Sequence, residues 1–272
     1  DMRPYKVISK EEKSSDVNMI IKDMITKAKY YNMMITFEDC SVLEKKVFSF
    51  FKPRRQQMFR PLVLGMMHQR DLGRLSIETY EQYLLFLYEF FICYHIIGEQ
   101  TSNKINDIVH GYSNKIENNY NDGLLVAFKK SMSERIPSTE NISNSIKRIR
   151  YSNKWKAYSD GKKRENVRAI FEIVERELGY EGDFENVNIE HCKPDSEREE
   201  HAHIGNLMLF EEAINERCKN KPLKEKLQYY QQSNLKYPQI IRSFYNEDDD
   251  IDFDKTSNYI LDKLLSRIKD LM

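Results

Sequence analysis

Three residue types at fixed separations stand out late in the chain. Glu190 and His191 are adjacent. Asn206 follows His191 by fifteen residues within Gly205-Asn206-Leu207, and Asn215 lies nine residues further on. An unperturbed histidine titrates near neutrality and can accept a proton from water at physiological pH. A carboxylate and an amide carbonyl are hard oxygen donors. Brought together, the set offers a general base on one side and oxygen ligands on the other.

The elements around these residues can bring them together. Phe184-Glu-Asn-Val-Asn-Ile-Glu190 alternates in polarity and predicts a strand ending at the acid–histidine pair. A polar loop from Lys193 to Glu200 follows, then a second short apolar run, Ile204–Phe210. Glu211–Lys219 and Leu223–Gln232 predict helices. A strand–loop–strand–helix hairpin of this kind places positions 190, 191, 206 and 215 near one another.

The joined pattern resembles the HNH (ββα-metal) nucleases, and most closely the nuclease module of GmrSD-like, modification-dependent (type IV) restriction endonucleases. That family's pattern runs E-H-I-x-P, h-x-G-N-L-x-L, L-N-x-x-x-x-N-x-x-F-x-x-K and Y-x-x-S. The present chain supplies Glu190, His191, Pro194, Gly205, Asn206, Leu207, Leu209, Asn215, Asn220, Lys226, Tyr230 and Ser233, matching over about fifty residues. It departs from the pattern at Cys192, Asp195 and Leu223, and its Pro194–Glu200 loop is short and acidic.

The resemblance implies a metal-dependent DNA endonuclease in prokaryotic defence against foreign or modified DNA. Phosphodiester hydrolysis needs an activated water, a cation on the phosphate and a stabilised leaving oxygen. His191 is then the general base. Glu190 and Asn215 are the ligands of one Mg²⁺ or Mn²⁺ ion. Asn206 completes the catalytic group by bracing the loop that bears His191, and Asn220, His203 and Lys226 are supporting residues. Cutting both strands would require two modules, which extends the expectation to a homodimer. Members of the family usually carry an upstream nucleotide-hydrolysing domain; no GxxxxGK[ST] loop occurs in this sequence.

Composition sets the frame. The 272 residues carry 43 basic and 43 acidic side chains, so a uniformly basic nucleic-acid coat is excluded. The balance is uneven: residues 180–272 carry a net −7 and residues 1–179 a net +7. Nucleic acid is therefore expected to meet the first part of the chain. Its most basic stretch, Lys147–Arg168, holds Lys147, Arg148, Arg150, Lys154, Lys156, Lys162, Lys163, Arg164 and Arg168. Only Asp160 and Glu165 oppose them, and Tyr151, Trp155 and Tyr158 are interleaved. Such residues contact phosphates and stack on bases, or equally form a solvated loop whose aromatics pack inward. Lys52, Arg54, Arg55 and Arg60 form a smaller patch.

Four unpaired cysteines point to a reducing compartment and a cytoplasmic setting. A zinc site from Cys192, His201, His203 and Cys218 is disfavoured because tight ligand pairs are missing. Asp250-Ile-Asp252-Phe-Asp254 lacks the Gly and the terminal Glu of a calcium loop. The most apolar stretch, Tyr83–Gly98, is too short to span a bilayer and reads as a buried helix.

With nine Gly and seven Pro, long helices are favoured. Asp16–Tyr31 carries Val17, Ile20, Ile21, Met24 and Ile25 on one face. Further helices are predicted over Glu44–Phe51, Leu62–Arg70, Ser76–Ile97, Ser102–Asn119, Gly123–Ser133, Glu165–Leu178 and Thr256–Leu271. The expectation is a mainly α protein, with a helical domain over 1–179 and an HNH-like ββα-metal domain over 180–272. The competing reading is a non-catalytic helical DNA- or protein-binding module carrying a degenerate HNH fold.

Overall fold

The computed structural model describes residues 17–54, 56–219, 221–246, 248 and 250–270. The chain is mainly helical, with one two-stranded antiparallel sheet. The helices are α1 (Val17–Thr36), α2 (Val42–Phe51), α3 (Arg60–Asp71), α4 (Ile77–Phe91), α5 (Asn106–Asn119), α6 (Asp122–Ser133), α7 (Thr139–Ile146) and α8 (Gly161–Glu177). Strand β1 (Val187–His191) and strand β2 (Leu207–Glu211) follow, then α9 (Glu212–Cys218), α10 (Leu223–Tyr230), α11 (Lys236–Ile240) and α12 (Phe253–Asp270). Arg55 and Asn220 lie outside the described residues. No helix among the described residues is long and apolar enough to cross a membrane.

The chain forms two compact units, Asp1–Leu87 with Ile105–Lys129, and Tyr88–Lys104 with Lys130–Met272. This division does not fall at residue 180. The reason is packing: α8 lies against both strands and against α12, so residues well before 180 share a core with the sheet. Val167, Ile170, Phe171 and Val174 of α8 are buried in that core.

The first unit is organised around α3 against α5, with Phe48, Leu62, Met66, Met67, Val109 and Ile116 buried. Its polar anchor is Glu44. The Ser41 hydroxyl accepts from the Glu44 N–H, and the Glu44 carboxylate accepts from the Ser41 N–H, a reciprocal cap that starts α2. The same carboxylate accepts from the Tyr80 hydroxyl at 2.8 Å and from Arg70 at 2.9 Å, so its buried charge is fully engaged.

Local signals account for several helix ends. Ser76 caps α4 through the Thr79 N–H at 3.0 Å. Helix α4 continues as a π-helical segment, Ile92–Ile97. Helix α8 begins four residues earlier than its apolar periodicity predicts, because the Asp160 side chain accepts from the Lys163 N–H. It stops where Gly179 takes φ +84°. Helices α7 and α11 were not expected from the sequence. The strands are displaced from their predicted spans. Phe184 lies before β1, separated from it by a turn at Glu185 and Asn186, and Ile204–Asn206 forms a 3₁₀ turn rather than the start of β2.

Candidate active site

The sheet register sets Glu190 opposite Met208 and His191 opposite Leu207. Strand β2 runs directly into α9, so β1, β2 and α9 form a contiguous ββα unit. The side chains of Glu190, His191 and Asn215 line one cleft of about 760 Å³, within the second compact unit. Sequence spacing anticipated this convergence.

His191 is held at one ring nitrogen. Its Nε2 lies 3.0 Å from the Tyr151 carbonyl, which can only accept, so Nε2 carries the proton and Nδ1 is the basic nitrogen. The ring is buried and stacks with Tyr151. Burial moves its pKa below the ordinary histidine value. The Tyr151 carbonyl and the negative charges of Asp195 and Glu190 act in the opposite direction. The imidazole is therefore neutral, the form a base requires, at neutral pH.

The loop after His191 is clamped by Asn206, which is fully buried. Its amide nitrogen donates to the Lys193 carbonyl at 2.8 Å and to the His201 carbonyl at 2.7 Å. Its amide oxygen accepts from the Lys193 N–H at 2.9 Å, and its own carbonyl accepts from the Cys192 N–H. Asn206 thus positions rather than reacts. The glycine before it is needed for space. A Cβ at position 205 would collide with the Phe253 carbonyl and the Thr256 hydroxyl, and that hydroxyl donates to the Gly205 carbonyl at 2.7 Å.

A segment far upstream completes the frame. The Tyr151 N–H donates to the Ala202 carbonyl, and the Ile204 N–H to the Ile149 carbonyl. Asp195 accepts from the Ser152 hydroxyl at 2.6 Å and from the Asn153 N–H at 3.1 Å. Its pKa sits below the usual carboxylate value: burial pushes it up, but the Ser152 bond, the charge His191 gains when protonated at acid pH and the backbone N–H of Asn153 outweigh that. Trp155 is pinned through its indole N–H to the Asp195 carbonyl at 2.7 Å. Asp195 is therefore held by specific partners of its own.

Two features bear on cation binding. The amide oxygen of Asn215 is buried and has no hydrogen-bond partner among the described residues. Opposing this, Lys226, itself buried, donates to Glu190 Oε1 at 2.5 Å and to the His191 carbonyl at 3.2 Å. Sequence reasoning missed Glu212 and Glu216, which flank Asn215 on α9 and line the cleft. The available signal was the helical spacing of Glu212, three residues before Asn215 and four before Glu216. Hard oxygen donors with one orphaned amide oxygen fit a divalent cation of the Mg²⁺ or Mn²⁺ type. The one cluster of metal-ligating side chains of tight geometry found among the described residues is elsewhere, at Asp23, His68 and Glu117, where the Lys27 ammonium already bridges Asp23 and Glu117.

The remaining expected residues are dispersed. His203 does not line the cleft: its Nδ1 accepts from the Gly205 N–H, its ring stacks on Phe253, and burial with the Arg150 charge lowers its pKa to about 4. Tyr230 packs edge-on to Phe210, and Ser233 donates to Glu211. Cys192 and Cys218 are buried thiols; burial pushes the Cys192 thiol up to about 12.

The residues of the basic stretch have different partners. Lys154 and Arg164 line the cleft, and Arg164 donates to Asn188 at 3.2 Å. Lys147 pairs with Asp254, Arg148 with Glu99 and Lys163 with Asp160. Arg150 is spent on the carbonyls of Lys147 and Ile149. Lys156 and Lys162 are exposed.

No family model matches this chain, and no curated protein does.

Proposed function

We propose that this chain is a metal-dependent phosphodiesterase acting on DNA, an HNH-type endonuclease serving prokaryotic defence. The observation that carries the proposal is the partnerless buried amide oxygen of Asn215, a residue that lines the same cleft as Glu190 and a histidine whose protonated nitrogen is fixed. The bound cation would polarise the scissile phosphate and offset its charge. His191 takes a proton from water at Nδ1. The Tyr151 carbonyl holds the ring in that tautomer, and Asn206 holds the loop that carries it. Glu190 and Asn215 supply the oxygens.

Electrostatics supports metal dependence. The cleft is lined by four carboxylates, Glu190, Asp195, Glu212 and Glu216, against four cations, Lys154, Arg164, Lys219 and Lys226. Because Lys226 is bound to Glu190, a phosphate entering without added positive charge meets no surplus to attract it. Lys154, Arg164 and Lys219 are placed to hold the backbone of the nucleic acid.

Lys226 also favours a second reading, a non-catalytic module in which the ammonium replaces the cation on Glu190. A calorimetric titration with Mn²⁺ separates the two. The nuclease reading expects binding that is lost in Glu190→Gln and in Asn215→Ala; the second expects none.

A further inference from the structure

Helix α1 packs into the first unit through one side only. Tyr30 and Met34 are buried, Tyr30 donates to Asp71 at 2.6 Å, and Lys27 pairs with Asp23 and Glu117. On the opposite side, Val17 (53%), Ile21 (48%), Met24 (59%), Ile25 (54%) and Tyr31 (42%) are exposed, as is Ala28. The sequence predicted an apolar face of Val17, Ile20, Ile21, Met24 and Ile25; no described residue covers the exposed part of it. A contiguous exposed apolar stripe of this length marks an interaction surface.

The spacing identifies the occupant. Val17, Ile21, Met24, Ala28, Tyr31 and Ile35 recur at intervals of four, three, four, three and four. That is the a/d spacing of a coiled-coil seam over the length of a helix spanning about 30 Å. The seam is also complementary to itself when reversed. Turned end for end about a point between Met24 and Ala28, it sets Met24 against Ala28, Ile21 against Tyr31 and Val17 against Ile35. Large faces small at the centre, as an isologous twofold contact requires.

The flanks agree. The exposed edge of the seam carries the uncharged Asn18, Ile25 and Asn32, and the other edge carries Lys27, whose charge is taken up by Asp23 and Glu117. The exposed side chains offer on the order of 500 Å² per helix, hence about 1,000 Å² for a pair, which reaches the lower range of a specific interface.

We infer that α1 is a dimerisation helix, pairing antiparallel with α1 of a second copy of this chain. The inference is independent of the nuclease reading. It would bring two copies together, as cutting both strands of a duplex requires.

Sedimentation velocity on the full chain over about 1–100 µM tests it. A concentration-dependent dimer is expected. Ile21→Glu with Met24→Glu should weaken it at least 100-fold, while the circular dichroism spectrum and melting temperature stay unchanged, because both side chains are about half exposed. A monomer at every concentration, or a dimer indifferent to the double variant, overturns the proposal; the former would leave the stripe to another segment or partner. Oxidative cross-linking tests the register without relying on that variant. Met24→Cys with Ala28→Cys should yield a covalent dimer, and Met24→Cys alone should not. Equal cross-linking by the single variant would indicate a parallel pair, and cross-linking by neither would refute the seam.

Discussion

Asn206→Ala should destabilise the second unit sharply, and the size follows from its bonds. The side chain makes three hydrogen bonds to backbone groups at Lys193 and His201, and it is fully buried. At about 1 kcal/mol net per bond, with a further cost for backbone groups left without partners, the loss is about 3–5 kcal/mol. At about 2–4 °C per kcal/mol for chains of this size, the melting temperature falls by about 6–20 °C. Asn206→Asp keeps the acceptor for the Lys193 N–H but turns the donor into an oxygen facing two carbonyls, so it should fall with Asn206→Ala rather than with the parent. Thermal unfolding followed by circular dichroism reads the first effect. Plasmid cleavage below the variant's transition reads the second. A folded Asn206→Ala should cleave about 100-fold more slowly, since small misplacements of a catalytic group cost that much. A melting temperature within about 2 °C of the parent's would refute the clamp.

Lys226→Met removes the partner of a buried carboxylate and should cost about 3–5 kcal/mol by chemical denaturation. If Glu190 ligates a cation, added Mn²⁺ should recover part of that loss, and Mn²⁺ should bind the variant more tightly than the parent in calorimetry. Gly205→Ala forces a Cβ into the Phe253 carbonyl and should cost about 1–3 kcal/mol in the same denaturation assay. Glu175 is fully buried, and burial raises its pKa to about 7 despite N–H bonds from Lys236 and Tyr237. Because the folded value lies above the unfolded one, its contribution is complete below about pH 4.5 and is lost as pH rises through about 7. Relative to Glu175→Gln, the parent should lose up to about 3 kcal/mol between pH 5 and pH 8. Parallel pH dependences for the two proteins would rule this out.

Legibility tracked locality. The convergence of Glu190, His191, Asn206 and Asn215 could be read because all four lie on one short hairpin and the helix it feeds. Helix ends at Ser76 and Gly179 were readable for the same reason: each is set within four residues, whereas the cap at Ser41 places α2 two residues before its predicted start at Glu44. What escaped depends on distant chain. The Tyr151 carbonyl that fixes the His191 tautomer lies 40 residues upstream, and the Ser152 and Trp155 contacts with Asp195 span similar separations. The Lys147–Asp254 and Arg148–Glu99 pairs of the basic stretch were hidden because those acids lie far along the chain. Periodicity revealed the apolar face of α1 but not that tertiary packing would use the other side.

The most direct test of the central claim is cleavage of supercoiled plasmid, plain and modified, by the full chain with Mg²⁺ or Mn²⁺, beside His191→Ala and an EDTA control. The account predicts nicked or linear product that needs the cation and disappears in the variant while the variant's melting temperature stays near the parent's. Cleavage that survives His191→Ala, or no cleavage of either plasmid together with no Mn²⁺ binding, would contradict it.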